Sequence, residues 1–116
     1  MKIKAISTSR SIYTRYKFGA SKRNLDFYLT YEEFLDLTSK PCYYCGDINS
    51  NTTNNRLKTD TFKYNGIDRV DSQQGYFISN CVPCCKRCNS MKSDMDINSF
   101  YEQIKKIYEI KLRRKL

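Results

Sequence analysis

The sequence predicts a small α+β domain, with helical segments at both ends, a short β-hairpin between them and a metal site tying the parts together. Three observations point there. Apolar residues recur at helical spacing near each end, and the runs "KYNGIDRV" and "GYFISN" flank the turn "DSQQ". Six cysteines fall in close pairs, Cys42 with Cys45 and four more within "NCVPCCKRCN".

At 116 residues the chain is long enough for one small core and too short for two. Mean hydropathy is -0.71, yet 40% of residues are hydrophobic and 14% aromatic, which marks a globular chain and not a disordered one. A single domain over 1–116 is expected. It comprises a basic helical leader (1–40), a cysteine-stapled core (42–95) and a C-terminal amphipathic basic helix (96–116).

From Ser7 to about Asn24, Ile12, Tyr16 and Ala20 stand four apart among basic residues, predicting a helix. "LDFYL" reads as a brief strand or extended link. "TYEEF" is a capping box, with Thr30 as N-cap and Glu33 three residues on, opening a helix that Pro41 closes. Asp47 to about Thr61 is rich in turn formers and reads as a surface loop. A hairpin follows from about Gly66 to Asn80, then a helix from near Cys84 or Cys85 to about Met91. From Asp96, apolar residues at Ile97, Phe100, Tyr101, Ile104, Ile107, Tyr108 and Leu112 predict an amphipathic helix.

Net charge is +9; seven Lys or Arg precede the first acid, Asp26, and the chain closes on "KLRRKL". Such a field suits a polyanion, with a basic tail that is only a solvated face as the lesser reading of charge alone. The aromatics of "YTRYKF" suit either base stacking or core packing. No stretch approaches the roughly 18 apolar residues of a spanning helix, and "MKIKAISTSRSIY" lacks the apolar centre of a signal peptide. An intracellular, cytoplasmic protein without a membrane partner is expected. In a reducing compartment, paired cysteines are ligands before they are disulfides.

Four thiolates around zinc require two close pairs, because each C-x2-C turn presents two sulfurs. Cys42 and Cys45 form one knuckle, and Gly46 lets the chain turn behind it. The second knuckle has two registers, Cys81 with Cys84 or Cys85 with Cys88, and spacing alone does not choose. Thirty-nine residues separate Cys45 from Cys85, a gap that an inserted hairpin would fill. Cys81 and Cys84, around Val82 and Pro83, suit core packing at the approach to a helix.

"CYYCG" followed by "NGIDRVDSQQGYFISNCVPCCKRCNSMKSDM" resembles the HNH-type nucleases of the ββα-metal superfamily, over about Cys42 to Phe100. The resemblance is to phage and homing members, which implies a phage or mobile-element setting. It implies one register, with Cys42, Cys45, Cys85 and Cys88 holding structural Zn2+. It also implies that Asp68 and Asn89 ligate a catalytic Mg2+ or Mn2+, and that Asn80 braces the hairpin loop. The implied partner is DNA, double-stranded by preference, and the implied activity is phosphodiester hydrolysis by nicking or double-strand cleavage.

One departure stands out. The family's general base is a histidine after the aspartate, whereas Arg69 occupies that position and the chain has no histidine. A guanidinium stays protonated and cannot take a proton from water, but it can contact the scissile phosphate. Asp71 is a candidate base, and more readily a turn residue. An alternative function is therefore a weak or inactive HNH-like zinc module that binds nucleic acid, and a more distant one is a protein-interaction zinc domain. Oligomeric state is not legible.

Overall fold

The computed structural model describes residues 7–113; Lys2, Lys4, Arg114 and Lys115 lie outside that range. Helix α1 (Thr8–Lys22) opens on Ser7, whose hydroxyl accepts from the Arg10 N–H. It closes on Asn24 at φ 57°. The Leu25 N–H donates to Ala20 O (2.9 Å) and the Asn24 N–H to Ser21 O (3.1 Å), which satisfies the last carbonyls of the helix.

Residues 25–29 run extended, and α2 (Tyr31–Thr38) begins with the complete capping box of Thr30 and Glu33. Tyr13 and Tyr16 of α1 pack edge to face on Phe34 of α2 at 5.4 and 5.5 Å. The aromatics of "YTRYKF" are thus largely core residues, with Phe18 exposed. Ile12, Ala20, Leu29, Phe34, Leu37, Ile67, Tyr76 and Cys81 form the main core. Burial holds the Tyr16 hydroxyl protonated, pushing it up to about 12.

The segment expected to be a loop supplies a strand, β1 (Asn51–Asn54), which pairs antiparallel with β2 (Thr61–Tyr64) at its far end. Polar Asn and Thr along β1 carry no apolar alternation, so the strand is not legible locally. Its pairing is held by the tip, where Asn55 Oδ1 accepts from the N–H groups of Thr59 and Asp60. Phe62 and Tyr64 of β2 stack at 4.6 Å.

The hairpin expected from Gly66 to Asn80 is displaced. Strand β3 (Gly66–Arg69) pairs with β4 (Cys81–Cys84), and not with "GYFISN". Tyr76 instead bridges to Phe27: its N–H donates to Asp26 O and its carbonyl accepts from the Tyr28 N–H, both at 2.8 Å. Those bonds tie the leader to the β3–β4 connection and remove Tyr76 from the ladder. Pro83 argues against a strand in the sequence because it lacks an N–H; here its carbonyl accepts from the Tyr43 N–H. Cys81 and Cys84 therefore sit at the two ends of β4, buried, and the strand runs straight into the N-cap of the next helix.

Helix α3 (Lys86–Lys92) follows β4 directly, and α4 (Ile97–Ile107) continues into a π-helical turn, Tyr108–Leu112. Phe100 alone of the α4 stripe is buried, while Tyr101, Ile104, Ile107, Tyr108 and Leu112 are exposed. The helix projects from the body, and the radius of gyration is 16.7 Å against about 13 Å for a compact chain of this length. Among the described residues, no helix is long and apolar enough to cross a membrane.

Gly75 is the tightest point of the leader contact, since a Cβ there would overlap the Asp26 backbone. Gly75→Ala is expected to destabilise the protein by about 1–3 kcal/mol, read as a lower urea midpoint with an unchanged slope.

Candidate active site

Two turns bring four thiols together. The Cys42–Cys45 turn is closed by the Gly46 N–H donating to Cys42 O (2.9 Å), with Gly46 at φ 84°. The Tyr43 N–H bonded to Pro83 O docks that turn on β4 at 2.8 Å. Cys85 is the N-cap of α3, its sulfur accepting from the Cys88 N–H at 3.3 Å. The Sγ atoms of Cys42, Cys45, Cys85 and Cys88 lie within 4.8 Å of one another, and Cys45 and Cys85 are 3.6 Å apart. Tetrahedral coordination at a Zn–S bond of about 2.3 Å places sulfurs roughly 3.8 Å apart, so the four could hold a metal ion.

Cys84 is buried beside this cluster and Cys81 lies in the main core. Neither belongs to the cluster of four sulfurs, and burial drives the Cys81 thiol up to about 12 and raises Cys84 likewise. Burial also raises Cys88. At Cys42, burial is outweighed by the N–H groups of Cys85, Cys45 and Tyr44, and the thiol falls to about 6.

Asp68, in the middle of β3, is buried and held from two sides. The Tyr44 hydroxyl donates to its Oδ2 at 2.6 Å, and Lys92 Nζ of α3 lies 3.2 Å from Oδ2 and 3.3 Å from Oδ1. Asn89 stands one turn before Lys92, at i and i+3, so both address β3. Among the described residues its side-chain amide makes no hydrogen bond. Asp68, Arg69 and Asn89 line one cleft of about 300 Å³, together with Arg23, Ser72, Tyr76, Ser93 and Asp94.

Arg69 donates through Nη1 to Ser72 O and Gln74 O, both at 2.7 Å. Its guanidinium lies 5.4 Å from the Tyr76 ring centroid and that of Arg23 6.0 Å from the same ring. Arg23 Nη2 also donates to the Tyr76 hydroxyl at 3.0 Å. Arg69 is thereby oriented while its Nε and Nη2 donors stay available to the cleft. Asn80 does not line the cleft. Its amide accepts from the Asp71 N–H and donates to Asp71 O and Gly75 O, bracing the β3–β4 connection. Asp71 is a turn residue, its Oδ1 accepting from the Gln73 N–H.

No protein-family model matches the chain. Among solved structures, the rare-cutting HNH restriction endonuclease PacI superposes with a TM-score of 0.61, covering 93% of this chain and 84% of that one at 23% identity. The chain has the HNH fold. Its motifs resemble that family for a structural reason, and the expected α+β class with flanking helices is borne out.

Two curated relatives add sequence similarity. One is an uncharacterized protein of Acanthamoeba polyphaga mimivirus, 39% identical over 88 residues, or 76% of this chain. The other is YoqL from the SPbeta prophage of Bacillus subtilis (strain 168), a protein with an inferred HNH endonuclease assignment, 28% identical over 79% of this chain. This chain spans 14% of the length of the first and 40% of the second. Viral and prophage relatives fit a mobile-element origin.

The donor set suits a second, oxygen-preferring cation. An ionised carboxylate offers about four lone-pair sites, and the three contacts of Lys92 and Tyr44 leave one on Asp68 Oδ1. The unbonded Asn89 amide supplies another oxygen, and Mg2+ characteristically takes only one or two protein oxygens, keeping water or phosphate for the rest. Sequence reasoning missed Arg23, Tyr44, Tyr76, Lys92 and Asp94. Only the "CN..K" spacing of Asn89 and Lys92 hinted at any of them.

If the four thiols form one site, the purified protein carries one metal ion per chain. Cys45→Ser and Cys88→Ser lose it and melt at lower temperature, while Cys81→Ala keeps it, by elemental analysis and thermal unfolding. Because the buried Cys88 thiol must give up its proton on loading, affinity falls as pH falls.

Proposed function

We propose that the chain is a metal-dependent endonuclease that hydrolyses DNA phosphodiester bonds in the cleft between β3, α3 and the end of α1. The observation that carries this reading is the convergence of Asp68, Asn89, Arg69 and Arg23 on that single cleft. Zn2+ on Cys42, Cys45, Cys85 and Cys88 is the structural ion, and Mg2+ or Mn2+ on Asp68 and Asn89 the catalytic one. Bound there, the divalent ion would neutralise phosphate charge and lower the pKa of a coordinated water.

The remaining roles fall to the chain itself. Arg69, aimed by two loop carbonyls, and Arg23, anchored on Tyr76, bind the phosphate oxygens and stabilise charge as it builds. Asn80 keeps the Arg69 loop in shape. With no histidine in the chain, the proton of the attacking water passes to Asp94, the cleft carboxylate whose oxygens make no hydrogen bond among the described residues. The basic residues of α1 hold the duplex by contacts to its backbone.

A second reading, a nucleic-acid module that binds without cutting, draws support from the engagement of Asp68 by Lys92 and Tyr44. Supercoiled plasmid separates the two. With Mg2+ or Mn2+ the protein is expected to yield relaxed circles. Arg69→Ala slows this by about 10²–10³-fold, Asp94→Asn by about 10²–10⁴-fold, and Arg23→Ala by roughly 10-fold. No relaxed product above an Asp68→Ala control refutes cleavage. DNA affinity that then still falls steeply with salt supports the binding module.

A further inference from the structure

Lys92 is the buried charge that the nuclease reading leaves without a role. Its side chain is fully enclosed, with 0% exposure, and its ammonium reaches both oxygens of Asp68. Burying an ammonium is costly unless it is paired, and an apolar side chain of the same length would fill the space more cheaply. The pair is therefore informative about charge at Asp68 and not about packing. Tyr44, projecting from the first cysteine turn, holds the same carboxylate by its hydroxyl.

A resident ammonium and an incoming divalent cation draw on one carboxylate. Their like charges also repel across a medium less polarisable than water. We propose that Lys92 is a resident counter-cation of the cleft: it holds the Asp68 carboxylate in place before loading, and it weakens divalent-cation binding until a nucleic-acid phosphate adds oxygens and negative charge of its own. Metal and DNA then bind with positive coupling. Lys92 acts through Asp68 and is a positioning residue. The inference rests on the metal-dependent reading of the cleft.

Mn2+ binding to the full chain, zinc-loaded, reports on this directly through the electron paramagnetic resonance signal of free Mn2+. Lys92→Gln keeps an amide donor toward Asp68 and avoids the unpaired carboxylate that Lys92→Met leaves. It is expected to bind Mn2+ roughly ten-fold or more tightly than the unaltered chain, and Asp68→Asn added to it abolishes the gain. A merely structural lysine would yield equal or weaker affinity, and that result overturns the inference. A second arm uses the unaltered chain: a short DNA duplex with phosphorothioate linkages is expected to tighten Mn2+ binding by roughly ten-fold, and no change overturns the inference as well. Mn2+ held through Asp68 without gain in Lys92→Gln removes this inference and leaves the nuclease reading standing. No Mn2+ bound by any variant, together with no plasmid relaxation, removes both.

Discussion

The constraint on which the rest of the structure depends is the convergence of four thiols from two turns separated by 39 residues. Cys85 both contributes to that cluster and caps α3, so the start of the helix is set by the cysteine geometry. A helix of seven residues has little stability of its own. Pinned at its first residue, it has one rotational setting, and that setting turns Asn89 and Lys92 toward β3.

Polar braces complete what the thiols begin. Asn65, fully buried, donates to the carbonyls of Lys40 and Asp47 and accepts from the Ser50 N–H, fastening the first cysteine turn to the start of β3. Asn80 does the same for the β3–β4 connection. Each amide replaces backbone pairing that irregular segments cannot supply for themselves. The Tyr44–Asp68–Lys92 contacts then join the first turn, β3 and α3 through one carboxylate. Removing one partner of such a buried pair costs about 3–5 kcal/mol, so the same contacts that shape the cleft also bind the small core together.

Two arginines set the character of the cleft. Arg69 and Arg23 lie against one ring, Tyr76, whose backbone also bridges the leader to the β3–β4 connection. The leader is therefore part of the site as well as a basic surface. Its Schellman-type end at Asn24 places Arg23 at the cleft, and its aromatics anchor it to α2. Two guanidiniums and one buried ammonium against two carboxylates, Asp68 and Asp94, leave the cleft receptive to an anion before any metal is considered.

Much of this was legible one residue at a time. The capping box at Thr30, the helical spacing of Ile12, Tyr16 and Ala20, and the paired cysteines each carry their signal within a few residues, because helix caps and metal knuckles are local physics. Asp68, Arg69 and Asn89 were readable through motif order, and the structure brings all three to one cleft. The β1–β2 ribbon and the placement of β4 were not, because a polar strand and a proline-containing strand are defined by their partners and not by their own pattern. Arg23, which lines the cleft, and Tyr44 and Lys92, which hold its Asp68, lie far apart in the chain and are brought there only through the fold. By itself the sequence determined the chemistry available: thiols in pairs, a basic surface, an aspartate followed by arginine, and no histidine. Only the tertiary structure decided which of those charges face each other, because burial beside Lys92 and Tyr44 is a property of Asp68's neighbours in space.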